Sequence, residues 1–137
     1  MVKCETLGML DIAKINPVLK SDKEVANYSF MTVDGITYLI HNEFSGDDTD
    51  TEDTTIAAGD YLNGYDLQAW IDQKLIIDGK HITGGVAAAT AGKILTVGTD
   101  GTLAVADAAP ESGIYLKVTD VDANLTEPAV KAVICMA

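Results

Sequence analysis

The sequence predicts a mainly β chain: a small β-barrel or β-clip-like domain of short hairpins, with one short helix and an extended N-terminal arm. Three observations carry this expectation. Asp-Gly pairs recur between β-prone runs, at Asp34-Gly35, Asp78-Gly79 and Asp100-Gly101. Such pairs favour tight hairpins because both central residues tolerate positive φ. The last third, Thr90 to Ala137, is a string of short apolar runs joined by small-residue turns. Aromatics are only 6% of the chain, so Ala, Val, Ile and Leu carry most of the apolar surface. Side chains of that kind suit thin sheets better than helical bundles.

The elements follow in order. Residues 1–27 read as an N-terminal arm and lead-in without a clean period. Leu7 to Ile15 fits a brief helix or an extended arm, and Pro17 interrupts whatever precedes it. Lys14, Lys20 and Lys23 make this the most basic stretch. Residues 28–83 read as hairpins plus the short helix. Tyr28 to Val33 and Ile36 to His41 flank the first Asp-Gly turn. Gly46 to Thr55 is an acidic loop in which Asp48, Asp50 and Glu52 have the alternate spacing of a calcium loop. Asp53 then stands where that loop wants Gly, and Gly59 where it wants Glu, so a solvated loop is favoured over a cation site. Asp66 is placed to cap a helix whose Leu67, Trp70, Ile71 and Leu75 share one face. The single tryptophan, Trp70, is expected to anchor that helix on the sheet. Leu75 to Ile77 and Lys80 to Ile82 are expected to form a second hairpin about Asp78-Gly79. Gly84 to Gly92 reads as a loop. It leads into a C-terminal β subdomain, residues 84–137, which forms one compact unit with 28–83. Its strands are Lys93 to Val97, Thr102 to Ala106, Gly113 to Val118 and Ala129 to Met136.

Charge narrows the partners. The net charge is −12, which repels nucleic-acid phosphates and anionic membranes alike. No nucleic-acid or membrane partner is therefore expected, and no run approaches the ~20 apolar residues of a membrane span. Met1 to Leu10 has no long apolar core of a secretory leader, so synthesis in the cytoplasm is expected. Cys4 and Cys135 lack a cysteine-rich framework, which favours free thiols in a reducing compartment. A bridge between the chain ends stays open, since termini often lie close together.

The sequence carries no catalytic signature. Gly85 to Lys93 has Ala87 where a phosphate loop needs its first Gly, and Ile94 where it needs a hydroxyl. His41 and His81 are the only histidines. A zinc site from these and the two cysteines would need four distant elements to converge, so each reads as a surface or half-buried strand residue. Ser21, Ser29, Ser45 and Ser112 lie in no nucleophile elbow. No enzyme activity, metal or cofactor is expected.

The order AGKILTV, DGTLAVAD, GIYLKVTDVDA and AVKAVICMA, at Gly92 to Val97, Thr102 to Asp107, Gly113 to Ala123 and Val130 to Ala137, resembles the head decoration (cement) proteins of tailed phages, the lambda-like D group. The resemblance covers about a third of the chain and is a pattern of small and apolar residues. It implies a β body on the exterior of the capsid, bound to the major capsid protein and gathered as a homotrimer at three-fold points. It also implies an N-terminal arm that adds a strand to a coat-protein sheet. By position, Val2, Lys3, Cys4, Glu5, Thr6, Leu7, Gly8 and Met9 would be that capsid-contacting arm. The alternatives are another virion component, such as a tail tube, baseplate or head-fibre base, and a small β-rich ligand-binding module.

Overall fold

The computed structural model describes residues 2–4, 16–42, 54–98, 100–122 and 127–137. Twelve strands are found among them. They are β1 (Val2–Cys4), β2 (Asn16–Lys20), β3 (Val25–Ala26), β4 (Phe30–Val33), β5 (Ile36–Ile40), β6 (Thr55–Ile56), β7 (Tyr61–Asp66), β8 (Lys74–Asp78), β9 (Ile94–Val97), β10 (Leu103–Ala106), β11 (Ile114–Asp122) and β12 (Ala129–Met136). Helical structure among the described residues is confined to two 3-10 turns, Leu67–Trp70 and Gly79–His81, and one short helix, α1 (Gly85–Ala88). The mainly β expectation holds. The barrel does not: the described strands form open sheets.

The largest sheet has six strands in the order β1-β8-β12-β11-β9-β10, and a second has four in the order β2-β7-β5-β4. All pairings named in these sheets are antiparallel. Strands β3 and β6 make a separate two-stranded ribbon. The period of two in a strand explains how the three stack. Phe30, Leu39 and Tyr65 point from one face of the four-stranded sheet into a core shared with Val2, Leu75, Ile77, Leu95, Leu116 and Ile134 of the six-stranded sheet. Ile40 and Leu62 point from its other face and pack against Val25 and Ile56 of the ribbon. The four-stranded sheet is therefore the middle layer of three.

The Asp34-Gly35 hairpin forms as expected. Val33 pairs with Ile36, and Asp34 and Gly35 take φ of 51° and 80°, both in the left-handed region such a turn demands. The four C-terminal strands also form where expected, and between β9 and β10 the Gly98 N–H donates to the Thr102 carbonyl at 2.8 Å. The Asp78-Gly79 hairpin does not form. Lys74–Asp78 is a strand, but Gly79–His81 winds into a 3-10 turn and Ile82 makes only an isolated parallel bridge to Leu103. The expected helix after Asp66 shortens to the 3-10 turn, and Leu75 leaves its face to enter β8. Within the expected loop at Gly84 to Gly92, residues Gly85–Ala88 form α1. The lead-in is also more ordered than expected. Residues Asn16–Lys20 are an edge strand, and the ladder to β7 slips between Pro17 and Leu19. Edge positions and bulges are where sheets tolerate a residue with no N–H.

Candidate functional site

The six-stranded sheet determines where the expected arm lies. Val2, Lys3 and Cys4 pair with Ile77, Ile76 and Leu75 of β8. Val2 is 1% exposed and belongs to the main core. Those three residues are thus part of the body's own sheet and not a free arm, because burying Val2 beside Ile77 satisfies both backbone and side chain locally. Glu5, Thr6, Leu7, Gly8 and Met9 lie outside the described residues, as do the acidic residues 46–53. The same register separates the two cysteines. Cys4 sits opposite Leu75, which sits opposite Ala132, and Cys135 is three residues further along β12. Two strand spacings and three residue rises place the Cα atoms roughly 14 Å apart, about twice the reach of a disulfide.

Trp70 lies in the main core. It is 6% exposed and closes the 3-10 turn that Asp66 caps, with Asp66 accepting from the Gln68 N–H at 2.8 Å. The Gln68 side chain also serves the neighbouring sheet. Its Oε1 accepts from the Thr37 N–H at 3.1 Å and its Nε2 donates to the Thr37 carbonyl at 3.4 Å. The amide so replaces a strand residue where β7 has ended beside β5.

Two further features were not apparent in the sequence. Both histidines join one column of rings with Trp70. His81 meets Tyr28 edge-on at 6.3 Å, Tyr28 stacks on His41 at 4.9 Å, His41 on Tyr65 at 5.9 Å, and Tyr65 tilts over Trp70 at 5.3 Å. His41 Nδ1 lies 3.3 Å from the Tyr65 hydroxyl. Ring pairs of this kind are worth about 0.5–1.5 kcal/mol each beyond burial, and here they tie separate segments of the chain together. The second feature is a ladder of three asparagines. Asn27 and Asn42 exchange side chain to backbone bonds, and Asn42 accepts from the Asn63 N–H at 2.8 Å. Apart from Tyr65 and Trp70, each partner is more than ten residues away in sequence, so no local pattern announces either feature.

The perturbed acids belong to surface turns. Thr102 donates to Asp100 from its hydroxyl at 2.6 Å and its N–H at 3.1 Å, and these two bonds hold the carboxyl below its ordinary range. Lys93 does the same for Asp107 by hydrogen bond and charge. Partial desolvation, then the Cys135 thiol opposite, push the Tyr115 hydroxyl up. Among the described residues no group of three or more His, Cys, Asp or Glu is placed to hold a metal ion. No helix among them is long and apolar enough to cross a membrane.

A groove of about 450 Å³ lies beside β4, an outer strand of the four-stranded sheet. Lys23, Val25 and Met31 line it, with Gly98, Asp100 and Gly101 from the β9–β10 turn opposite. That turn is fastened to β4 by the Phe30 N–H, which donates to the Gly101 carbonyl at 2.8 Å. Gly101 is required here. Its φ is +88°, and a Cβ would stand 2.8 Å from Ser29 Oγ. The contact joins the six-stranded to the four-stranded sheet at one end of the shared core.

No family model, no curated protein and no solved structure matches the chain.

Proposed function

We propose that this chain is a capsid decoration protein of a tailed phage, which binds the exterior of the expanded head and reinforces contacts between coat subunits. The observation that carries the reading is the unbroken antiparallel set β12-β11-β9-β10. It is formed by the same C-terminal runs whose order and spacing resemble the lambda-like cement group. The remainder of the molecule is compatible with a purely adhesive role, since it offers rigid layered sheets, an anchored tryptophan and acidic groups engaged in turn architecture.

The mechanism is passive. A rigid body seated across a junction between coat subunits adds buried area there, and repetition over a symmetric shell makes modest per-site energies large in sum. With Val2–Cys4 held in the body's own sheet, the contact is made by the folded surface and not by a loose strand from those residues. The charge of −12 discourages sticking to released nucleic acid. The major capsid protein is the partner, and copies gather at three-fold points.

The test is co-sedimentation of the purified protein with expanded and unexpanded heads of the phage that encodes it. Binding to expanded heads alone, with added density on the shell exterior by electron cryomicroscopy, is the expected result. Heads that carry no such density at any ratio would refute the reading.

A further inference from the structure

The two large sheets present four outer strands, and these differ in how well they resist further pairing. β1 has three residues and β2 contains Pro17, both familiar ways of closing an edge. β10 (Leu-Ala-Val-Ala) and β4 (Phe-Met-Thr-Val) have neither charge nor proline, and β4 is the one that borders the groove described above.

The hydrogen-bond register shows what that edge offers. Ile40 donates to the Ser29 carbonyl and Phe30 pairs opposite Leu39. In an antiparallel ladder bonded and non-bonded pairs alternate. Met31 and Val33 therefore turn their N–H and C=O groups toward β5, while Phe30 and Thr32 turn theirs outward. The outward Phe30 N–H is the one taken by Gly101, in keeping with that parity. Three groups remain in the groove: the Phe30 carbonyl, the Thr32 N–H and the Thr32 carbonyl. No hydrogen bond among the described residues reaches them.

We infer that the β4 groove is a strand-acceptor site, which takes a short extended segment of another protein as a fifth strand of the middle sheet. Backbone groups supply the affinity in this mode, and the flanking pockets supply the selectivity. The occupant is an uncharged, β-prone segment. Lys23, Glu24 and Asp100 on the walls offer no single sign of charge to match, whereas Val25, Met31 and Val97 offer apolar contact. A second copy is disfavoured at this edge, because another sheet edge would bring its own neighbouring strand against Gly98, Asp100 and Gly101 on the facing wall. The site depends on the backbone of β4 alone and stands whether or not the capsid reading does.

The test is nuclear magnetic resonance on the ¹⁵N-labelled full chain, titrated with end-blocked, uncharged eight-residue peptides rich in Val, Thr and Ile. Shifts should concentrate at residues 30–33 and Gly101, and exchange of the Thr32 amide should slow at least about tenfold. The Thr32→Pro variant deletes an outward N–H and the hydroxyl contact with Thr37 but no ladder bond, so β4 still pairs with β5. It should bind at least about tenfold more weakly, the loss of about one hydrogen bond plus a steric block. Thr32→Val keeps the N–H and should bind within about twofold of the parent. Amide exchange in the unmutated chain decides the matter even where the proline variant fails to fold. Peptides that leave Thr32 unprotected, or a folded Thr32→Pro that binds as well as the parent, would overturn the inference. So would Thr32 protection that rises with protein concentration in the absence of peptide, which would assign the edge to self-association.

Discussion

Replacing Gly101 by Ala tests whether the two large sheets are fastened where the geometry indicates. The residue is at φ +88°, and the added Cβ would lie 2.8 Å from Ser29 Oγ and 2.9 Å from Ser29 Cβ. Ser29 cannot easily retreat, since its Oγ donates to the Ala26 carbonyl at 2.6 Å. The left-handed backbone costs about 1–2 kcal/mol for a residue with a Cβ. Restriction of the unfolded chain returns about 0.4–1 kcal/mol. Overpacking adds about 1–3 kcal/mol. The expected net loss is about 2–3 kcal/mol, a fall in Tm of about 8–12 °C at this chain length. Gly35→Ala is the control. Its φ is +80° but nothing lies within 4 Å of the new Cβ, so only the backbone cost remains, about 0–1.6 kcal/mol after the unfolded-state return. Calorimetry of both variants compares the two sites. If Gly101→Ala melts no lower than Gly35→Ala, the close approach to Ser29 is not real and the two sheets are not fastened there.

Three other outcomes are expected. Trp70→Ala should cost about 3–5 kcal/mol, as for large aromatic truncations in a core, read by denaturant unfolding; a loss under about 1 kcal/mol would mean the ring column is not structural. The Asp100 carboxyl is held below its ordinary value near 3.8 by the Thr102 hydroxyl and N–H. A depressed folded pKa means stability that is present above the ordinary value and lost as pH falls through the folded one. Asp100→Asn should therefore flatten the fall in Tm below about pH 4, and an unchanged acid limb would contradict the assignment. Thiol titration of the unfolded chain prepared without reductant should find both Cys4 and Cys135 free, and a bridge between them would show that the register of β1 on β8 is wrong.

What the sequence disclosed follows from how local the cause is. The Asp34-Gly35 hairpin and the strands about Asp100-Gly101 depend on turn chemistry within a few residues, and they form as read. Asp78-Gly79 has the same two letters yet winds into a 3-10 turn, because Leu75 and Ile77 are drawn between β1 and β12 and leave no partner for a returning strand. Tyr61–Asp66 lies at the centre of the second sheet but offers Asn63 and Gly64 in place of an alternating apolar pattern; the layer on each face supplies what its sequence does not. Val2–Cys4 reads as a tail because its partner lies more than seventy residues away. The histidines read as separate surface residues for the same reason. The groove is invisible to composition altogether, since it is made of main-chain groups that every residue possesses.

The stitching of Val2 to Ile77 and of Leu75 to Ala132 has a consequence for biosynthesis. Strand β8 waits between two neighbours far from it in sequence on either side, so the main core cannot shut until β12 has been made. Contacts of such long sequence separation fold slowly, and until Met136 emerges the nascent polypeptide carries a bare apolar ribbon that aggregation or a chaperone can claim.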